Sequence, residues 1–379
     1  MRFALRVLAA SLALQCSFAA ADDADSLALR AGQAQERGEY REAARLLEEA
    51  LSSRPRDYWL RTQLAEDYAR MGRLPDAKRE WAAARALDGE EKDAYVQEGY
   101  ARLEAGDLRE AEKPFLAAIA ADAASPVGYR HMAFFYYKKA DLGRSESYFR
   151  QALRRARETT RSDREEASII MTGLGEVLLE EGRGADAEAI WRRGLERFSD
   201  IPRSRTTFLQ CLGRASLRQG RFGRAEELLG RAAAGCDKSA NCLGVLCDLA
   251  VAYAREGRAR KAADAARRAR SLYPLLRREP PFELDGYAGA LLGMGDALRD
   301  SGDEVEAEKD YRLVAALRPA ISGSAELADA EQALARLCAS TGRKAEARGL
   351  LEDALAIARK QGDGRRESAV LGDLRSLEP

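Results

Sequence analysis

A glycine, once replaced by alanine, with a small residue five positions later returns nine times along this chain and restricts what it can fold into. The pairs are Gly38/Ala43, Gly72/Ala77, Gly106/Ala111, Ala140/Ser145, Gly182/Ala187, Gly220/Ala225, Gly257/Ala262, Gly302/Ala307 and Gly342/Ala347. Successive intervals are 34, 34, 34, 42, 38, 37, 45 and 40 residues, the period range of stacked supersecondary units. Ahead of each turn lies an apolar stretch at helical spacing, such as Leu64, Ala65 and Tyr68 before Gly72, or Leu249, Ala250 and Tyr253 before Gly257. The glycine ends that helix because it enters the left-handed conformation with no Cβ penalty. The small residue then falls in the first turns of a second helix, where a bulkier side chain would push the two helices apart. Seven residues further on stands another small position: Ala50, Ala84, Ala118, Ala152, Gly194, Ala232, Ala269, Val314 and Ala354. It lets the second helix approach the next unit.

The pattern therefore predicts an all-α chain of helical hairpins. Its 379 residues are 46% hydrophobic and 33% charged, without the Val/Ile/Thr alternation that strands require. Each hairpin buries its face only against its neighbours, so the core is continuous but one-dimensional and its ends need caps. A final amphipathic helix from Arg365 to Leu377, apolar at Val370, Leu371, Leu374 and Leu377, fits the C-terminal cap.

These residues resemble the tetratricopeptide repeat family. Its 34-residue pattern asks for Gly at the eighth position, Gly at the turn, Ala twice in the second helix, and often a terminal Pro. Here Gly99, Gly175, Gly213 and Gly295 hold the eighth position, with Ala65, Ala133, Ala250 and Ala335 elsewhere, and Pro55, Pro274 and Pro319 fall at the end. The resemblance covers residues 24–361 and implies a right-handed superhelical solenoid of about nine hairpins with a C-terminal capping helix. Regular units one to four then occupy residues 22–156, longer units five to nine residues 157–361, and the cap residues 362–379. Unit four departs from the pattern with Ala140 and Ser145.

The first 21 residues read as a secretory signal peptide. Met1 to Arg6 is basic, Val7 to Ala13 is apolar, and Ala19-Ala20-Ala21 precedes Asp22. The apolar run is short for a bilayer span, and Gln15 before Cys16 suits a lipoprotein site poorly. A periplasmic or secreted protein is expected, and the preference for Arg over Lys fits a GC-rich bacterial genome. Basic and acidic residues number 62 each, which gives no electrostatic case for nucleic acid. Arginine-rich stretches such as Arg154 to Arg164 are interleaved with acids and read as solvated helix faces.

Cysteine, histidine and glycine motifs narrow the chemistry. Cys236 and Cys242 flank a polar loop and could close a disulfide in an oxidising compartment, in competition with Cys211 to Cys247. No Cys-x-x-Cys pair exists and His131 is the only histidine, so neither a metal site nor a cofactor is expected. Nor does His131 have an evident nucleophile in its unit. Gly173-Leu174-Gly175 and Gly293-Met294-Gly295 fall inside first helices, where glycine serves packing rather than phosphate binding. No convergent catalytic constellation emerges, and the chain is expected not to be an enzyme.

What remains is a binding surface. The resemblance implies that positions 2, 5, 9 and 12 of each unit line the concave face. They are Trp59, Thr62, Glu66 and Ala69 in unit two; Asp93, Val96, Tyr100 and Leu103 in unit three; and Val127, Arg130, Phe134 and Tyr137 in unit four. Trp59, Val96, Tyr100, Leu103, Arg130, Phe134 and Tyr137 form the expected partner groove, with the aromatic and Arg make-up of a hot spot. Tyr95, Tyr129 and Tyr136 are assigned to the core. Glu176, Arg214, Val251, Asp296, Arg299 and Arg336 give the later units a mixed-charge face, and Pro280-Pro281 breaks the stacking between units seven and eight. A carboxylate clamp is excluded, because the single asparagine, Asn241, is read as a loop residue. The function expected is a non-catalytic scaffold of the bacterial cell envelope that binds a protein or peptide partner. The alternative is an accessory of polysaccharide export or of outer-membrane or pilus assembly; a direct polysaccharide ligand has no residue that singles it out.

Overall fold

A computed structural model describes residues 23–35, 37–87, 91–104, 108–236, 240–278, 281–321 and 323–377. The signal segment 1–21, the Gly106 turn and Pro280 lie outside the described residues. The chain divides into two compact units between Ile170 and Met171. The first contains α1 (23–35), α2 (Tyr40–Ser53), α3 (Tyr58–Arg70), α4 (Leu74–Arg85), α5 (Glu91–Glu104), α6 (Leu108–Ala121), α7 (Pro126–Lys138) and α8 (Leu142–Arg155). Helix α9 (Arg161–Glu180) carries the division. The second contains α10 (Gly184–Phe198), α11 (Pro202–Arg218), α12 (Phe222–Ala234), α13 (Ala240–Arg255) and α14 (Ala259–Ser271). After a 3-10 turn (Tyr273–Arg278) follow α15 (Pro281–Asp300), α16 (Glu304–Ala316), a short α17 (Arg318–Ile321), α18 (Ala325–Ser340), α19 (Lys344–Gln361) and α20 (Gly364–Ser376). The described residues form helices joined by turns and short loops, with no strand among them. They pair as hairpins, α3 with α4, α5 with α6, α7 with α8, α11 with α12, α13 with α14, α15 with α16 and α18 with α19, and α20 packs on α19. The fold is an all-α solenoid of repeated hairpins.

One turn geometry repeats. In each described turn the residue after the glycine donates its N–H to the carbonyl five residues back: Arg73 to Tyr68 at 2.7 Å, Arg183 to Leu178 at 2.8 Å, Arg258 to Tyr253 at 2.9 Å. This bond satisfies a carbonyl that the helix end leaves open. It requires a left-handed residue, and Gly72, Gly182 and Gly257 have φ of 74°, 78° and 70°. Ala140 makes the same turn with φ 56°, the only positive φ outside glycine among the described residues.

The small positions close the hairpins. All nine residues five places after the turn position, Ala43 through Ala347 with Ser145 among them, have 0% exposure. Ser145 also donates its hydroxyl to the Ala133 carbonyl of the facing helix at 2.9 Å. Opposite the eighth-position glycines stands a large side chain of the second helix, always sixteen residues on. A Cβ on Gly99 would meet Phe115 at 2.6 Å, on Gly175 Trp191 at 2.2 Å, on Gly213 Leu229 at 2.5 Å and on Gly295 Tyr311 at 2.7 Å. Gly173/Gly175 and Gly293/Gly295, read from the sequence as packing glycines of first helices, lie inside α9 and α15, with the space at Gly175 and Gly295 filled by Trp191 and Tyr311.

Second helices are also pinned by charge. In the second unit Arg221 pairs with Glu188, Arg258 with Glu226, and Arg343 with Glu308, each joining the residue after a turn glycine to the preceding second helix. Arg343 first, then Arg312, holds the Glu308 carboxyl down at about 2. Such half-exposed pairs are worth at most about 1 kcal/mol each, so they set register more than stability.

Two substitutions test this packing. Ala140→Gly relieves a left-handed alanine that costs roughly 1–2 kcal/mol, against about 0.4–1 kcal/mol of added unfolded-state freedom; the urea midpoint of the chain is expected to rise slightly. Gly175→Ala forces Trp191 aside and is expected to destabilise by about 1–3 kcal/mol, read as a lower urea midpoint and a changed Trp fluorescence transition.

Candidate functional site

In the first unit, helices α3, α5 and α7 lie side by side, α3 against α5 and α5 against α7. Trp59 stands in the first turn of α3 and is 53% exposed. Its carbonyl accepts a bond from the Thr62 hydroxyl at 2.8 Å, while Thr62 itself is buried. Thus the backbone is tied down where the indole projects. On α5, Tyr100 and Leu103 are half-buried and rest on the cluster of Phe115, Met132, Phe135 and Tyr136.

The Tyr100 hydroxyl shares a 2.7 Å hydrogen bond with His131 Nδ1 of α7. Its ring meets Phe115 edge-on at 5.3 Å between centroids. Burial first, and the Arg130 cation second, hold the His131 imidazole well below its usual pKa. It is therefore a neutral bridge between two first helices.

The rest of the expected groove is partly consumed by packing. Val96 is a correction: it is only 6% exposed and belongs to the core with Phe115 and Met132. The cause is the eighth-position glycine three residues on, which draws Phe115 in and closes the same face of α5. Phe134 is half-buried and stacks edge-on against Phe149 at 5.1 Å. Tyr137, one turn on, is half-buried. Arg130 commits its Nε–H to Glu166 at 2.6 Å. Tyr129 and Tyr136 are in the core as expected, but Tyr95 is half-buried beneath the Arg85 guanidinium, 4.7 Å from its ring centroid. For Asp93 the side chain lies outside the described residues.

Leu29, Leu116, Ile169 and Val305 are exposed apolar residues that the sequence reading did not single out, and one of them shares the register of Trp59. Ile169 of α9 is 43% exposed. It stands thirteen residues before Gly182, as Trp59 stands thirteen before Gly72, so the register itself held the signal.

In the second unit the mixed charges close on one another. Arg214 of α11 lies 3.3 Å from Asp248 and 3.9 Å from Glu176, Arg218 reaches Glu180 at 2.6 Å, and Gln210 donates to Asp248 at 2.8 Å. Burial raises the Glu176 carboxyl, and Arg214 opposes the rise. Further along, Arg299 pairs with Asp296 at 3.0 Å and Arg336 with Asp373 at 2.9 Å, while Val251 is half-buried. Every charged group singled out in this unit has a partner within the protein.

Cys211 and Cys247 are buried free thiols, so a bond between them is not formed. Cys236 is half-buried and Cys242 buried, and residues 237–239 between them lie outside the described residues. Asn241 sits in the first turn of α13, not in a loop, and bonds the Tyr287 hydroxyl at 3.0 Å. Among the described residues no group of His, Cys, Asp and Glu could hold a metal ion, and no helix is long and apolar enough to cross a membrane.

Residues 34–103 and 136–201 each match a family model described as tetratricopeptide repeat. No curated protein matches the sequence. Among solved structures, the APC/C hetero-tetramer Cut9-Hcn1 is similar at a TM-score of 0.52 and 14% identity, covering 94% of this chain and 63% of that one. The chain thus spans less than two thirds of that relative's length. The human IFIT1 dimer with m7Gppp-AAAA is similar at a TM-score of 0.54 and 18% identity, covering 93% of this chain and 80% of that one. A tetratricopeptide repeat protein from Parabacteroides merdae ATCC 43184 has a TM-score of 0.44 and 16% identity, covering 66% and 93%. At these identities the likeness is one of fold alone.

The His131 bridge has a pH signature. Because the folded imidazole titrates below the unfolded one, whose pKa is about 6.5, the unfolded chain takes up a proton first as the pH falls. His131 therefore contributes stability that is present above about pH 6.5 and fades below it. Burial pushes the Asp67, Asp310 and Glu331 carboxyls up to about 7, which acts in the opposite direction. The check is a difference: urea midpoints of the parent and His131→Gln between pH 7.5 and about 5 are expected to converge as pH falls.

Proposed function

We propose, from the premise that this chain is a tetratricopeptide repeat protein, that it is a non-catalytic scaffold of the bacterial cell envelope whose first unit holds a partner peptide or helix. The observation that carries this reading is Trp59. A large aromatic more than half exposed, on a helix whose neighbouring positions are packed, is the kind of side chain that forms the centre of a protein contact. Tyr100, Leu103, Phe134 and Tyr137 follow on α5 and α7, half-buried and held by core contacts beneath them. Aromatic rings fixed in this way lose little further freedom when a partner arrives. Ile169, at the same register position as Trp59, extends the apolar character within the unit.

The partner side is argued from charge. Arg130 is already paired with Glu166, so the face offers apolar area with few uncommitted charges. An amphipathic helix or an apolar-anchored peptide suits it better than a strongly charged tail. The envelope assignment rests on the N-terminal signal pattern, and Trp59 equally supports a place in a larger export or assembly apparatus as its protein-holding part. A catalytic role has no supporting constellation among the described residues, and the reading is that of a binder.

The test is site-specific photo-crosslinking in the native bacterial envelope from Trp59 and Tyr137, with the exposed Ala82 of α4 as the off-face control. A single protein captured from both face positions and not from the control is expected. Trp59→Ala is expected to weaken that partner's binding by about ten- to a hundredfold with an unchanged urea midpoint. Equal capture from Ala82, or a glycan in place of a protein, overturns the reading.

A further inference from the structure

A groove of about 120 Å³ opens between α10 and α12 in the second unit, far along the chain from the face just described. Its make-up departs from that of the chain. Whereas basic and acidic residues balance at 62 each overall, four guanidinium groups and one carboxylate border this groove. Arg221, Arg224, Leu228 and Arg231 are spaced so that they share one face of α12 and its entry, and Glu188, Arg192 and Leu195 do the same on α10. Two arginine-bearing stripes therefore face each other across a gap, with leucines between them.

The one lining carboxylate is oversubscribed. Glu188 accepts from Arg192 at 2.6 Å, from Gln219 at 3.0 Å and from Arg221. Arg224 and Arg231 pair with Glu227, which does not line the groove. Four cations thus share two acids, and each guanidinium has five N–H donors to place. The side chains of Arg192, Arg224 and Arg231 are 59%, 49% and 56% exposed, so a ligand reaches them from solvent by exchanging with their pairs to Glu188 and Glu227. Arginine presents its donors in a planar fork that matches phosphate oxygens two at a time. Half-buried Leu195 adds an apolar contact beside that fork, while Leu228, only 3% exposed, closes the wall behind it. The volume admits a group of several heavy atoms but not a folded segment of chain.

We propose that this groove binds a phosphate monoester, its oxyanion held by Arg192, Arg224 and Arg231 and its ester carbons resting on Leu195. Glu188 acts as the internal counter-anion that keeps Arg221 and Arg192 in place when the groove is empty. Free phosphate shares the oxyanion chemistry but lacks the carbon chain, which separates the two sources.

The experiment is calorimetric titration of the full chain with n-butyl phosphate and, separately, inorganic phosphate, at fixed ionic strength in chloride. Saturable binding of both is expected, with n-butyl phosphate about fourfold tighter, as burial of one methylene at about 0.8 kcal/mol allows. The double variant Arg224→Gln/Arg231→Gln is expected to lose at least tenfold in affinity with an unchanged urea midpoint. Arg192→Gln, on the facing helix, is expected to do the same and serves should the double variant unfold. Absence of saturable binding up to about 10 mM, a Kd regime weaker than any useful site, overturns the proposal. So does equal binding by the folded variants, and equal affinity for the two probes overturns the ester assignment.

Discussion

The structure depends on how closely the two helices of each hairpin approach. A large side chain of the second helix enters the space that a missing or single Cβ leaves on the first, as Trp191 does over Gly175 and Phe115 over Gly99. Interiors are packed at crystal-like density, so that space is either filled or costly. Phe115, Trp191 and Tyr311 are fully buried by this device, and Trp81 and Phe149, sixteen residues after Ala65 and Ala133, are fully buried at the same register of their second helices. The turn supports it: a left-handed residue and one backbone bond to the carbonyl five residues back fix the angle at which the second helix departs.

This constraint decides which side chains reach the surface. The residues at the fifth register position illustrate it, since Thr62 and Val96 are drawn inward beside the eighth-position contact, while Trp59, three residues before Thr62, and Ile169, three before half-buried Thr172, stay out. Half-buried Tyr100 and Phe134 take an intermediate place, with their rings on Phe115 and Phe149. A binding face of this kind is an edge of the core rather than a separate layer. Its rigidity follows from the hairpin packing beneath it.

Polar groups also join successive hairpins. Asp67, 1% exposed, accepts from Gln35 at 2.9 Å, and Asp310, fully buried, meets Arg270 at 2.7 Å. Each leaves one carboxylate oxygen without a hydrogen bond in the protein. Burial outweighs the partner in both, and their carboxyls are raised to about 7. A buried pair of this sort contributes specificity of register more readily than net stability, and here the sequence separation of each pair, 32 and 40 residues, spans one repeat.

The hairpins, their turns and their small contacts were legible in the sequence because each is a local rule repeated nine times: a glycine for a left-handed turn, a small residue for a close crossing. Periodicity averages away the noise of single positions. Helix rotation is different, because a shift of one residue turns a side chain by a quarter to a third of a circle, and only contacts with the neighbouring helix settle it. Thus Tyr136 could be assigned to the core from its register, whereas Val96 could not be told from Tyr100 until Phe115 was seen against the α5 face. The His131 to Tyr100 bridge, the sharing of Glu188 among three donors and the placing of Asn241 inside α13 likewise join residues far apart in the chain. Sequence alone determined the repeated unit, since that unit is made of short-range backbone chemistry. Tertiary structure alone decided which side chains face outward and which charges meet, since those depend on distances between helices that no local pattern encodes.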